Sequence, residues 1–545
     1  MNRYEYAMNL FLTGIARELK SYDRDCSRVY KINSLLASRL HKHIFDVPNV
    51  QKDNSVSVNL LALGHLEYYR KNVFTALTLY NKALCFATKN ETIGLLYVRR
   101  CQAYYLLREL QCCLENARLA LEFNLPVGIK IRLRSIIGEC AVILAMQRMP
   151  SIVNNDLVKK TPQLTRSSNP RIPFISSGLA LRSNKFVGRH IITANKLDPG
   201  QIIVTENSYV QTIQENLSYE RCSYCTKEKL LNFLPCNSCT NSMLCSDCWE
   251  VEEAKYFHQI ECPISNFLGR NPDSRLVLRL VLKTLKSFGS ITEMAHFAIY
   301  AWKNQFTVFD FNHATPLSGI NKFQIYHSLC ANQNQVNDFN VVVNAIHAAV
   351  LFRQLMRNVQ FRSVYDIHPL DETVLIEFIC RAIHISSCNA ISLMTFNKKK
   401  TIEIGQAIYL FGSLVNHSCY PNVFRVSSGT TNVFVVLRNI EIGEQISYCY
   451  SEEFSSKLTN KHGRQKLLGL KQIECNCIAC INDYPLKVDY QSKIAPHNDI
   501  ENIPSYLKLN DHLHDSLEVS NAQDELIKAM NDLYGTKSAK YYYRT

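Results

Sequence analysis

Between Cys222 and Cys262 the chain places seven cysteines and one histidine in four short pairs: Cys222-x2-Cys225, Cys236-x2-Cys239, Cys245-x2-Cys248 and His258-x3-Cys262. Eight soft ligands in so short a stretch constrain the fold more than any apolar pattern in the chain. Tetrahedral zinc takes four Cys or His ligands, and a closely spaced pair sits on one loop, so eight ligands mean two closed structural sites. Buried free thiols do not gather at this density. A nucleic-acid finger is disfavoured, because the long helix before a His-x3–5-His pair is missing.

The other cysteines follow two patterns. Cys475-x-Cys477-x2-Cys480 supplies three more ligands, one short of a tetrahedron, whereas Cys85, Cys101, Cys140 and Cys380 stand among apolar residues and read as core thiols. With 21 cysteines in 545 residues, clustering of this kind points to metal, not disulfides, and to an intracellular chain. The formal charge is +14. Eleven thiolates on three zinc ions would bring it to about +9. That balance permits an acidic partner, but no dense Lys/Arg stripe marks a nucleic-acid binder, and nucleic acid is not expected as a direct ligand. No apolar run approaches the ~18 residues that span a bilayer, so no membrane partner is expected.

Taken in order, residues 1–54 read as an amphipathic first helix and a polar connection, not as a signal peptide. Residues 55–150 contain an internal repeat. GHLEYYRKNVFTALTLYNKAL, from Gly64, lies over CQAYYLLRELQCCLENARLAL, from Cys101, with Ala83 over Ala120 and Leu84 over Leu121. Small residues at helix crossings with aromatics one turn away suit tetratricopeptide-like helix pairs, a plain helical bundle being the alternative. Two repeats are too few to stand alone and should pack on neighbours; a repeat of this type suggests a peptide or protein partner. Residues 151–177 are polar and Pro-containing, a linker. Residues 178–221 read as short strands broken by Gly188 and the turn Asp198-Pro199-Gly200. Residues 263–400 are mainly helical, with apolar residues at i, i+3, i+4 in SRLVLRLVLKTLKSF and AIHAAVLFRQLMRNV. A strand-rich stretch, 401–452, precedes the second cysteine cluster in 453–482. A short tail, 483–545, has a helical pattern from Ile503 to Tyr534. The fold class expected is α+β, in several domains.

Within 401–452 lies FGSLVNHSCYPN, Phe411 to Asn422. Asn416 and His417 offer donors and acceptors, Cys419 a metal ligand, and Pro421-Asn422 a turn. This string resembles the NHSC-x-PN motif of SET-domain lysine methyltransferases, and the ladder ending in YFHQIECP resembles a MYND finger. As an ordered set over roughly residues 178–482, the chain resembles the SET and MYND domain family: a β-rich SET fold split by a MYND zinc finger (222–262) and closed by a post-SET zinc.

The resemblance implies how the ligands group. Cys222, Cys225, Cys245 and Cys248 would share one zinc, Cys236, Cys239, His258 and Cys262 a second, and Cys419 would complete Cys475, Cys477 and Cys480 around a third. It implies S-adenosylmethionine as cofactor, held by Val187, Gly188, Arg189, Asn389, Asn416, His417 and Tyr450. Tyr450, seven residues after Gly443, is the implied catalytic tyrosine in preference to Tyr448, and Tyr409 would line the lysine channel. The reaction implied is methyl transfer to a lysine of a histone or another protein, with a role in transcription regulation. The MYND finger implies a Pro-rich peptide or a transcriptional regulator as partner, and the location implied is cytoplasm and nucleus. The alternative function is a catalytically weak scaffold that recruits regulators through the finger and the repeats. Four departures from the family pattern stand out. His190 replaces a Gly after the Arg, and the third cysteine pair is one residue shorter than usual. Lys471-Gln472-Ile473-Glu474 lacks the aromatics that pack on the cofactor, and Ile391 replaces a channel-side Phe. The short tail implies a more open substrate cleft.

Overall fold

The computed structural model describes residues 50–146, 162–331, 338–365, 369–397, 400–450, 461–469 and 473–482. The expectations for the first helix, for Lys471-Gln472 and for the tail beyond 482 lie outside the described residues.

Five helices come first: α1 (Asn54–Tyr69), α2 (Val73–Phe86), α3 (Asn90–Leu106), α4 (Leu110–Leu121) and α5 (Val127–Ala145). They start where the chemistry directs. Asp53 caps α1 by accepting from the Ser55 N–H at 2.8 Å. The turns after α1 and α3 place Lys71 and Arg108, 37 residues apart, at φ of 67° and 56°. Small residues let the helices close: a Cβ on Gly64 would come within 2.5 Å of the Tyr80 ring. Ala83 and Ala120 are fully buried.

The strands form small sheets, not one large one. Strands β1 (Leu179–Asn184) and β2 (Gly188–Thr193) pair as a hairpin. Strand β3 (Ile202–Asn207) joins β11 (Thr431–Val436) and β10 (Val423–Ser428) in a three-stranded sheet. Strand β4 (Val210–Ile213) joins β8 (Lys400–Ile408) and β7 (Ile391–Asn397) in another. The cysteine ladder carries a two-residue pair, β5 (Leu234–Pro235) with β6 (Met243–Leu244), followed by helices α6 (Ser246–Trp249) and α7 (Glu252–Glu261). Strand β9 (Asn416–His417) runs parallel to β12 (Ser447–Tyr448), pairing His417 with Tyr448.

Between the ladder and β7 lies a helical layer: α8 (Ser265–Arg270), α9 (Pro272–Leu285), α10 (Ile291–Asn304), α11 (Gly319–His327), α12 (Asp338–Arg357), α13 (Val359–Val364) and α14 (Pro369–Asn389). Helices α15 (Lys461–Gly469) and α16 (Ile478–Ile481) close the described chain. Leu276, Val277, Leu278, Leu280, Val281 and Leu282 of α9 are buried on all sides, which makes α9 the axis of the main core. Each such side chain contributes roughly 1.5–3 kcal/mol. Arg279, amid them, forms a buried ion pair with Glu261 and donates to Gln211 O at 2.6 Å and Ser223 O at 3.1 Å. It thereby ties the helical layer to both strand and ladder.

Two boundaries differ from the sequence expectation. Residues 162–177 are not a free linker: Ile172 and Ile175 are buried in the main core, and Ile175 bridges to Val204. The helical insertion ends at Asn389, because residues from Ile391 onward pair with β8 and not with another helix. No helix among the described residues is long and apolar enough to cross a membrane.

Candidate active site and metal clusters

The β1–β2 turn builds one wall of the candidate site. Asn184 Oδ1 accepts from the Phe186 and Val187 N–H groups at 2.9 and 3.0 Å, and Gly188 takes φ +65°, so the loop bends sharply outward. The Val187 carbonyl then accepts from Asn416 Nδ2 at 3.1 Å, bringing Val187, Gly188 and Asn416 together. His190 is buried, its Nδ1 2.9 Å from Gly188 O, so the ring that replaces the expected Gly braces the turn from within.

Arg189 and Asn389 point to the end of α11. Arg189 Nη2 donates to Ser328 O at 2.7 Å, and Asn389 Nδ2 donates to Cys330 O at 2.6 Å and Ile385 O at 2.8 Å. Arg381, absent from the sequence expectation, donates to His327 O at 2.7 Å. These three side chains hold residues 327–330, with Arg189 Nη1 left as a buried donor that has no partner.

Tyr450 sits against His417 and Tyr448, with ring centroids 5.3 and 4.7 Å away. Tyr450 is half-buried, and its hydroxyl donates to Val415 O at 2.7 Å. Burial of that end pushes the phenol well above its ordinary pKa, so Tyr450 stays un-ionised and donates. The Tyr450 N–H donates to His417 Nδ1 at 2.9 Å, while His417 Nε2 lies 3.2 Å from Cys419 Sγ. Burial lowers the His417 pKa to about 4, with Arg464 adding to the effect against Cys477. The ring is therefore neutral, and its partners assign the hydrogen to Nε2, facing the sulfur. Tyr409 does not line a channel: it is fully buried and its hydroxyl donates to Thr430 O at 2.9 Å. Ile391 is a buried residue opening β7 opposite Ala407.

Two supporting residues lie outside the sequence-based site, Asn422 being expected there only as a turn residue. Glu206 of β3 accepts from the Phe411 and Gly412 N–H groups at 2.7 and 2.8 Å and so fixes the entry to β9. Asn422 accepts from Ser447 N at 2.8 Å and donates to Gln445 O at 2.7 Å, stapling the approach to Tyr450. The Pro-Asn pair could have pointed to Asn422; a lone Glu in a strand gives no such hint.

The soft ligands fall into three groups: Cys222, Cys225, Cys245 and Cys248; Cys236, Cys239, His258 and Cys262; and Cys419, Cys475, Cys477 and Cys480. Within each, the ligand atoms lie within 4.8 Å of one another. Four ligands around zinc with bonds of about 2.3 Å leave sulfurs about 3.8 Å apart. Cys225–Cys245 and Cys236–Cys262 are each 3.7 Å apart, Cys419–Cys480 is 3.6 Å and Cys419–Cys475 is 3.9 Å. Backbone N–H groups also point at sulfur, Cys245 to Cys222 at 3.4 Å and Ser238 to Cys236 at 3.3 Å, which favours thiolates. The donor sets fit zinc.

A family model, the SET domain, matches residues 188–451, a span that contains the ladder and the helical layer. Protein-lysine N-methyltransferase SMYD4 of Danio rerio is 23% identical over 508 residues, covering 80% of this chain and 66% of that protein. The Mus musculus protein of the same name is 21% identical, covering 79% of this chain and 68% of that one. The chain is similar to members of the SET and MYND domain family. Histone-lysine N-methyltransferase SMYD3 of Homo sapiens is a further similar protein, 24% identical over 54% of this chain and 59% of its own length. The chain thus spans about two thirds of the length of the SMYD4 proteins it matches.

Proposed function

We propose that this chain is a protein-lysine methyltransferase that uses S-adenosylmethionine. The observation that carries the reading is the convergence, on the two-residue strand Asn416–His417, of the Val187 carbonyl, the Tyr450 backbone and the Cys419 sulfur. When bound, S-adenosylmethionine supplies a methyl group on a positively charged sulfur. Val187, Gly188, Arg189, Asn389, Asn416 and His417 would hold it, and Arg189, with a buried unpaired N–H, is suited to an anionic group.

The substrate lysine needs a neutral amine, and its ordinary pKa of about 10.4 forbids that in water. Desolvation beside a positive charge lowers it. Tyr450, held at both its backbone and its hydroxyl, would orient the amine, and alignment supplies much of the rate. His417 is neutral with both ring nitrogens engaged, so it is not the base, and the proton leaves through water.

Zinc at the three clusters would be structural, since each offers a full set of four protein ligands. The finger reading of 222–262 and the tetratricopeptide reading of 55–150 belong to this proposal, as does a protein partner at the finger. The scaffold reading is kept by one observation: the Asn389 amide nitrogen is already committed to two carbonyls. The test is labelling of cell-extract proteins by the purified chain with radiolabelled S-adenosylmethionine. Labelling that drops at least tenfold in Tyr450→Phe, with cofactor binding retained by calorimetry, supports the enzyme. Absence of any cofactor binding by the unmodified chain sinks it.

A further inference from the structure

Helices α2, α3 and α4 bury polar side chains that a packing interface does not require. Asn81 of α2, Arg100 of α3 and Asn116 of α4 are all fully buried. Buried amides and guanidiniums are retained where they meet a partner, and all three meet the loop of the cysteine ladder between Cys225 and Cys236, Asn81 also donating to Tyr219 O at 3.0 Å.

We propose that the face shared by α2, α3 and α4 is a peptide-binding site whose resident ligand is the chain's own segment Leu230–Phe233. Three of its four carbonyls each receive a donor from the helices. Tyr104 Oη donates to Leu230 O at 3.0 Å, Asn81 Nδ2 to Leu231 O at 2.9 Å, and Arg100 Nη1 to Phe233 O at 2.8 Å. The side chain of Asn232 is read on both edges. Its Oδ1 accepts from Arg100 Nη2 at 2.6 Å and Asn116 Nδ2 at 2.9 Å, and its Nδ2 donates to Glu115 Oε2 at 2.7 Å. Leu231 and Phe233 are buried with Leu77, Tyr80 and their neighbours in the same core. Backbone carbonyls give such a site its grip, and the one amide read at both edges gives it specificity.

The conformation of the ligand supports an imposed fit. Lys229, Leu230 and Leu231 have φ of 42°, 54° and 61°, three successive left-handed residues without a glycine. A free loop does not hold such a run, because each Cβ crowds the backbone. The helices over-determine it. The loop joins two of the ligand groups, so the clamp also fixes how one cluster stands relative to the other. A groove filled in this way is not open to a foreign peptide, which revises the expectation that the repeats serve an outside partner.

The test uses the full chain and trypsin, with Lys227 and Lys229 as exposed cleavage sites on the clamped loop. Tyr104→Phe and Asn232→Asp should each speed cleavage there by about tenfold, the weight of one or two buried hydrogen bonds. Asn232→Asp sets a carboxylate against Glu115, so adding Glu115→Gln restores a donor–acceptor pair and should return cleavage to near the original rate. Ordinary packing has no reason to show that rescue. Cleavage unchanged in both single variants, or no rescue in the double variant, overturns the proposal.

Discussion

Glu206 is a carboxylate in a place that suits neither charge nor neutrality. It is 4% exposed and receives backbone N–H groups from the turn before β9, yet no cation pairs with it among the groups that shift its pKa. Burial wins over those hydrogen bonds and pushes its pKa up to about 7 from 4.5. Tyr409 and Tyr448, the titratable groups beside it, are both raised by burial and stay neutral. A folded pKa above the unfolded one means the native state keeps a proton that the unfolded state has lost. The stability linked to this group is therefore full below about pH 4.5 and lost as pH rises through about 7. The full swing is of order 3 kcal/mol. Urea unfolding of the chain and of Glu206→Gln at several pH values should give a difference that shrinks by about that amount from pH 4.5 to 8. A difference independent of pH would reject this account of Glu206.

At the scale of elements, the two-residue strand β9 joins most of the candidate site. Asn416 faces the β1–β2 turn, His417 links Tyr450 to a sulfur, and Cys419, two residues on, belongs to the third ligand group. Loss of one ligand should therefore damage two functions. Cys477→Ser is expected to lower zinc content from about three ions to two and to weaken S-adenosylmethionine binding by roughly tenfold or more, because the N–H···S contact that orients His417 loosens. Elemental analysis and calorimetry check it; an unchanged zinc count refutes the third group, and an unchanged affinity refutes the coupling. Much of this element was legible beforehand, since four chemistries in succession at Asn416–Cys419 leave few structural roles. The β7 strand was not: ISLMTFN has neither helical nor strand period, and only its pairing with β8 decides it. The segment before β1 departs from a linker for a similar reason. Two isoleucines, Ile172 and Ile175, anchor a polar, Pro-containing stretch and make no period at all. Arg381 escapes sequence reading more thoroughly, because its role is set by a helix end far along the chain.

For the whole molecule, the decisive fact is that the first ligand group is not a separate bead. Cys222, Cys245 and Cys248 lie in one apolar core with Leu77, Leu84, Leu96, Tyr104 and Leu114 of the N-terminal helices. Structural zinc sites contribute their binding energy to folding, so a metal-dependent loop that also completes a helical core passes its stability to those helices. Isolated helix pairs of this size are marginal, which makes them sensitive to the loss. Chelation should then lower amide-exchange protection in residues 73–121 along with 222–262, while α9, held in the other core, keeps more of its protection. The opposite pattern, with protection in the helices unaffected when the ladder opens, would mean that the shared core is contact without coupling. The expected pattern would instead make the metal clusters the fastening between a helical module and a candidate catalytic one, with the Arg279–Glu261 pair joining the ladder to the second core. Because Glu261 precedes Cys262 and Ser223 follows Cys222, the same chelation should also loosen the partners of Arg279, and exchange at the Ser223 N–H, which donates to Met243 O across the ladder, follows that opening.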